Sequence, residues 1–156
     1  MNKDSNLIFE AYKKRLISEA PDQNYVPSLE EIKAYLTKSY KDIESHYSNP
    51  ELFKKRMTGL DKRASTIEEL IKAHKDWVEK WNADPKNADR SPYTVWSSVY
   101  SEYSDASKEL NGFRSRTSFD QTPIIPLADG LLSIFEDLRD EREKAAKEDA
   151  RVKSHA

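Results

Sequence analysis

The chain has 156 residues, with 26 Lys or Arg, 28 Asp or Glu, three Gly, seven Pro and no Cys. That length suits one domain, and the net charge of −2 provides no overall attraction to nucleic acid or to an acidic membrane. The absence of Cys excludes disulfides, thiolate catalysis and Cys-ligated metal centres, and it fits a reducing compartment. Residues 1–20 lack the apolar run of a secretion signal, and no segment reaches the roughly 20 apolar residues that span a bilayer.

The first predicted helix covers about residues 5–19, because Ile8, Tyr12 and Leu16 recur at helical steps before Pro21. The second begins at a capping box formed by Ser28 and Glu31. Its apolar face consists of Leu29, Ile32, Leu36, Tyr40, Ile43 and Tyr47. A short third helix is predicted from Asn49 as cap and Pro50 as first residue, with Gly59 closing it.

A turn is predicted over residues 60–64, followed by a fourth helix capped by Thr66 with Glu69 or by Ser65 with Glu68. This helix carries an apolar face at Ile67, Leu70, Ile71, His74, Trp77, Val78 and Trp81, and ends at Asp84 and Pro85. Residues 82–91 are rich in Asn and Asp and predict a surface loop.

Ser91 and Pro92 predict the start of a fifth helix, which Asn111 and Gly112 end. Residues 113–126 show no helical period, and the Pro123 to Pro126 segment is expected to be extended. A last helix is predicted from about Leu127. The patterns together predict an all-α protein, an irregular bundle of five to six helices, with residues 1–138 as one domain and 139–156 as a charged helical tail.

The residues that commonly carry chemistry do not form a recognised pattern. His46, His74 and His155 lack the spacing of di-iron and zinc sites, and three separated Gly cannot build a phosphate-binding loop. We therefore expect no catalytic residues, metal or cofactor. His74 is expected to be a hydrogen-bonded core residue, and an enzyme that uses His74 with nearby carboxylates is an open alternative.

Two segments are candidate binding sites. The first is a basic cluster, in which Asp61 is the only acidic residue among Lys54, Lys55, Arg56, Lys62 and Arg63. Such a local excess of positive charge predicts sequence-independent contact with nucleic-acid phosphates as an alternative function. The second candidate is a set of aromatic and Arg side chains on and after the fifth helix: Trp96, Tyr100, Tyr103, Phe113, Arg114 and Arg116. This combination predicts a protein-binding surface. Aromatic residues at helical spacing also form cores, which is the alternative for those on the helix.

The segment Tyr100 to Arg116, with the charged helix after it, resembles small tailed-phage proteins of unassigned activity. Their shared segment reads Tyr-x-Glu, then Asn/Tyr-Gly, then Arg-Pro-Arg, and Ser115 stands where that pattern has Pro. The N-terminal Leu7 to Tyr12 is also similar to leaders of phage head proteins, which are cut after Leu/Ile-x-Glu. Glu10 and Glu19 satisfy that rule, as do Glu31, Glu69 and Glu136. Packing of Ile8 and Tyr12 on the bundle is the alternative.

The resemblance implies a phage-encoded accessory protein in the cytoplasm of an infected cell or in the virion. With the lack of a catalytic pattern, it favours a non-enzymatic protein that binds a host or phage protein. If the protein has that function, replacing Arg114 and Arg116 by Glu should weaken capture of the partner and leave the thermal midpoint of unfolding nearly unchanged. Non-specific nucleic-acid binding through the basic cluster is the alternative, marked by affinity that falls steeply with salt. Neither reading defines an oligomeric state.

Overall fold

A computed structural model describes residues 22–44 and 49–154, and in this part of the chain all regular structure is helical. The α-helices are α1 (Leu29–Asp42), α2 (Pro50–Thr58), α3 (Leu60–Ala83), α4 (Val95–Asn111) and α5 (Ile124–Ser154), with a 3-10 turn at Pro85–Asn87. The predicted all-α bundle is confirmed. The predicted helix over residues 5–19, the leader segment, His46, Tyr47 and His155 lie outside the described residues.

Local capping signals locate several helix ends correctly. Ser28 and Glu31 form the predicted capping box of α1, and Asn49 accepts a hydrogen bond from the backbone N–H of Glu51 at the start of α2. Gly112 ends α4 in the left-handed conformation, with φ of 82°, which Gly adopts without steric cost. The end of α1 is different, since the helix stops at Asp42 and Ile43 forms the cap.

The predicted turn over residues 60–64 is wrong, because α3 begins directly at Leu60. Gly59 ends α2 and starts α3 with φ of −84°, so the chain changes direction here without a left-handed residue. Thr66 lies inside the helix, and its hydroxyl donates to the carbonyl of Lys62 at 2.9 Å rather than capping a terminus. The end predicted at Asp84 and Pro85 is confirmed.

The predicted start of α4 at Ser91 and Pro92 is also wrong. Thr94 is the N-cap, and its side chain and that of Ser97 form a reciprocal capping box. Tyr93 is held outside the helix, since its N–H donates to Asn82 Oδ1 and its carbonyl accepts from Asn82 Nδ2, both at 2.9 Å. A side chain from α3 therefore sets where α4 begins.

The Pro123 to Pro126 segment is not extended, because α5 begins at Ile124 and includes Pro126. A proline is tolerated in a first helical turn, where its missing N–H has no intrahelical partner. The first turn closes when the N–H of Leu127 donates to the carbonyl of Pro123 at 3.0 Å. A segment with Pro at both ends is therefore compatible with the first turn of a helix as well as with an extended conformation.

The core lies where α3 meets α1, α4 and α5, and α5 also packs along α4. Its fully buried large side chains are Ile32, Leu36, Ile67, Ile71, Val95, Val99, Leu127 and Leu131. Beyond Leu138, every described residue of α5 is exposed, and Arg142 Nη2 reaches back to Glu109 Oε1 at 2.9 Å. Among the helices of residues 22–44 and 49–154, none is long and apolar enough to span a membrane.

Before α1, Tyr25 donates its hydroxyl hydrogen to the Glu31 carboxylate, and this hydrogen bond lowers the pKa of Glu31. We expect Tyr25→Phe to raise that pKa toward the ordinary value of about 4.3. A lowered pKa stabilises the fold above the unfolded-state pKa, and this gain is lost as pH falls through the folded-state value. Carbon NMR titration of the Glu31 carboxyl measures the change. Tyr35→Phe is the control, and an unchanged titration in Tyr25→Phe would contradict the assignment.

Candidate functional site

Trp96, one of the six residues of the predicted protein-binding surface, lies inside the fold with 7% of its surface exposed. Its indole Nε1 donates to the carbonyl of Thr122 at 2.8 Å. The ring stacks on Tyr100 with centroids 5.1 Å apart and meets the edge of Phe119 at 5.9 Å. The side chain therefore joins α4 to the loop before α5, and its ring is closed to a partner in this structure.

The two tyrosines of that surface are half-buried and pack against the hydrophobic core. The Tyr100 hydroxyl is 3.5 Å from the carbonyl of Ser115. Tyr103 lies so close to α5 that a Cβ at Gly130 would be 3.4 Å from its Cε2. Tyr103 thus packs α4 against α5, and Tyr100 packs on Trp96 beside the loop that follows α4.

The remaining members of the predicted surface are exposed. Phe113 is 65% exposed, and Arg116 is also on the surface. Arg114 forms an ion pair with Asp105, and its Nη1 is 3.3 Å from Ser104 Oγ. The structure thus separates the six residues into a packed aromatic part and an exposed loop, and partner binding by that loop stays a prediction.

Arg63 differs from the other residues of the predicted basic cluster, because only 18% of its side chain is exposed whereas the others are on the surface. Its Nε donates to Asp129 Oδ1 at 2.7 Å, and its Nη2 donates to the Asp129 carbonyl and to Ser133 Oγ, both at 2.9 Å. Its Nη1 pairs with Glu136. These carboxylates and the hydrogen bonds hold the pKa of Arg63 above its ordinary value, against the opposing effect of burial. Arg63 thus connects α3 to α5.

The other basic side chains surround a groove of about 850 Å³, here called the basic groove. It is lined by Lys55 and Arg56 from α2, Lys62 and Arg63 from α3, and Arg139 from α5, with Glu136 as the one carboxylate among its lining residues. Apolar lining comes from Tyr40, Leu52, Leu132 and Phe135. Lys54 is exposed and is not part of the lining. Sequence reasoning found the positive charge and missed the apolar part and Arg139.

A second groove of about 450 Å³ lies between α3 and α4 and is here called the aromatic groove. Its lining consists of Ala73, His74, Trp77, Tyr93, Ser98, Ser101, Glu102 and Asp105. His74 bridges the two helices, with Nδ1 at 2.7 Å from Ser98 Oγ and Nε2 at 2.6 Å from Glu102 Oε2. His74 is hydrogen-bonded, as predicted, but with 13% of its side chain exposed it lines the groove and is not part of the buried core.

Ser98, His74 and Glu102 have the order of a nucleophile, base and orienting acid. Acyl transfer also needs donors for a developing oxyanion, and Ser98 lies inside a helix, with its N–H bound to the Thr94 carbonyl at 3.0 Å. The three preceding backbone N–H groups, of residues 95–97, already donate hydrogen bonds to oxygen atoms of Asn24, Gln23 and Thr94. The arrangement favours a fixed polar wall over acyl transfer.

An exposed indole borders this wall. Trp77 is 45% exposed and packs against Trp81 and Tyr93, with centroid distances of 6.1 and 5.1 Å. Within the described residues, no group of three or more His, Asp or Glu side chains could hold a metal ion. Comparison of the chain with protein-family models, curated proteins and solved structures finds no match.

Proposed function

We propose that this protein acts by binding a partner protein, and that the basic groove receives an acidic segment of that partner bearing apolar side chains. One observation carries the proposal. Five Lys or Arg side chains and one carboxylate line a groove with an apolar part, in a chain whose net charge is −2. Local charge of this kind guides the encounter and selects the partner, while apolar burial supplies affinity.

The two lysines of the groove are available for a partner, whereas Arg139 Nε already lies 4.0 Å from Asp140 Oδ1. In residues 22–44 and 49–154, neither Lys55 nor Lys62 forms an ion pair. Arg56 Cζ lies 5.9 Å from the centroid of the Tyr40 ring, and within the described residues Arg56 forms no ion pair with a carboxylate. Arg63 already binds Asp129 and Glu136, so it is part of the wall.

The apolar lining favours a protein segment as the occupant. Leu52 is 52% exposed at this groove, and half-buried Leu132 and Phe135 lie on the facing helix. An amphipathic helix uses such a groove by placing apolar residues at three- and four-residue steps in it. Acidic residues on the flanks of that helix would then meet Lys55, Lys62 and Arg139.

Nucleic acid is the less favoured occupant. Strand binding commonly stacks bases on exposed rings, whereas in this groove Tyr40 is 6% exposed and Phe135 is half-buried. The apolar lining at Leu52, Leu132 and Phe135 offers contacts that a phosphate backbone does not use, whereas apolar side chains of a peptide do. The test below makes nucleic-acid binding one of its outcomes.

The proposed biological setting follows the phage resemblance of the Tyr100 to Arg116 segment and not the groove. In that setting the partner is a host or phage protein, and the protein acts in the cytoplasm of an infected cell or within the virion. The binding proposal does not depend on this setting.

The defined probe is a fluorescein-labelled helical peptide with Leu at three- and four-residue steps and Glu elsewhere. We expect the protein to raise its fluorescence anisotropy. Lys55→Glu with Lys62→Glu should weaken this binding by at least about tenfold, because like charges then face each other across the interface. Lys80→Glu with Lys86→Glu is the matched control, since both lysines are exposed outside the groove and the charge change is the same.

Equal loss of binding in both double variants would show that net charge rather than the groove matters. No binding of the acidic peptide by the unaltered protein would overturn the proposal. Tighter binding of a labelled single-stranded DNA, with a steep fall as salt rises, would replace it with the nucleic-acid function.

A further inference from the structure

We propose that the aromatic groove is a separate binding site for a guanidinium group, presented by an arginine side chain of a peptide. The lining contains Glu102 and Asp105 and no Lys or Arg. Beside these carboxylates stands an indole with nearly half of its surface open. A carboxylate next to an aromatic face is a favourable environment for guanidinium, which binds carboxylates through planar N–H donors and also stacks on rings.

Glu102 is positioned by a neighbour. His74 binds its Oε2 at 2.6 Å, and Ser98 holds the other nitrogen of the imidazole at 2.7 Å. Within the described residues, no hydrogen bond or ion pair engages Glu102 Oε1. The Glu102 side chain is 43% exposed and lines the groove. A guanidinium could therefore bind there without breaking the contact to His74.

The aromatic wall is held as firmly as the carboxylate. Tyr93 meets the edges of both tryptophans, with centroids 5.1 Å from Trp77 and 4.8 Å from Trp81. Asn82 fixes the Tyr93 backbone through two hydrogen bonds of 2.9 Å. Because these rings are held before binding, little side-chain order is lost when a ligand stacks on Trp77.

Asp105 shows that this end of the site accepts a guanidinium, since Arg114 of the same chain is bound to it. Arg114 comes from the exposed loop after α4, and 49% of its side chain is exposed. It is therefore an internal competitor for the incoming arginine. Its removal would free the Asp105 carboxylate for the ligand.

The probe is Nα-acetyl-arginine amide, titrated while the NMR signal of the Trp77 indole N–H is followed. The uncharged citrulline analogue should bind at least about tenfold more weakly, because it has a similar shape without the charge. Glu102→Gln should weaken arginine binding by about tenfold, since its amide can still accept from His74 but has no charge. Arg114→Gln should strengthen binding by about threefold, because it frees Asp105.

Glu79→Gln is the matched control, because Glu79 is exposed on α3 and its partner Lys75 is also outside the groove. Citrulline binding equal to arginine binding, or full binding by Glu102→Gln, would overturn the site. Unchanged or weaker binding by Arg114→Gln would contradict the role of Arg114 as competitor. The Lys55→Glu and Lys62→Glu variant should bind the arginine probe normally, so this proposal and the basic-groove proposal fail independently.

Discussion

Trp96→Ala is expected to lower the free energy of unfolding by about 3–5 kcal/mol, the range for a large aromatic side chain removed from a core. The substitution leaves a cavity between α4 and the loop before α5, and it leaves the Thr122 carbonyl without its indole donor. Stacking on Tyr100 and the edge contact with Phe119 are lost at the same time. Urea denaturation with linear extrapolation measures the change.

Phe113→Ala is the matched control, because it removes an aromatic ring from the same predicted surface at a position that is 65% exposed. Its cost should stay within about 0.5 kcal/mol, as for most surface substitutions. If Trp96→Ala were equally mild, the ring would not be a core contact. Trp96 would then again be a candidate residue of the predicted partner surface.

Arg63→Ala is the second substitution with a large expected effect, about 2–3 kcal/mol of lost unfolding free energy. It removes four contacts from α3 to α5 and leaves the partly buried Asp129 carboxylate without its cation. Arg63→Lys should recover part of the loss, because it restores the charge but not the planar set of donors.

The control for Arg63 is Arg142→Ala, which breaks the exposed pair with Glu109 at 2.9 Å. An exposed ion pair contributes about 0–1 kcal/mol, so its urea midpoint should move little. Equal midpoints for the two alanine variants would show that Arg63 is a surface cation like the rest of the basic cluster. Arg63 would then be as available for binding a partner as Lys55 and Lys62.

Helix positions were predictable where the signal is local. The Ser28 and Glu31 box and the left-handed Gly112 each act within one turn, and both are found as predicted. The wrong start of α4 has a distant cause, since Asn82 of α3 holds Tyr93 outside the helix. Two other errors arise where a residue tolerates two conformations. Gly59 ends α2 without positive φ, so α3 starts immediately, and Pro126 fits the first turn of a helix as well as an extended segment.

The grooves were harder to predict because their walls come from distant parts of the chain. The predicted basic residues lie within residues 54–63, but Asp129 and Glu136 of α5 bind Arg63 and remove it from the exposed set. No local pattern marks Arg139 as part of the same groove. One feature of the aromatic groove is visible in the sequence: Ser98 and Glu102 are one helical turn apart, so they lie on the same face of α4. The facing His74 becomes evident only when α3 and α4 pack.

The central claim, that the basic groove binds an acidic segment with apolar side chains, is tested most directly by selection from a random peptide library against the immobilised protein. We expect enriched peptides to combine Asp or Glu with Leu, Ile or Phe at helical spacing. The same peptides should be lost from the Lys55→Glu and Lys62→Glu variant and retained by the Lys80→Glu and Lys86→Glu control. Enrichment of basic or uncharged peptides, or an unchanged set from the groove variant, would contradict the claim.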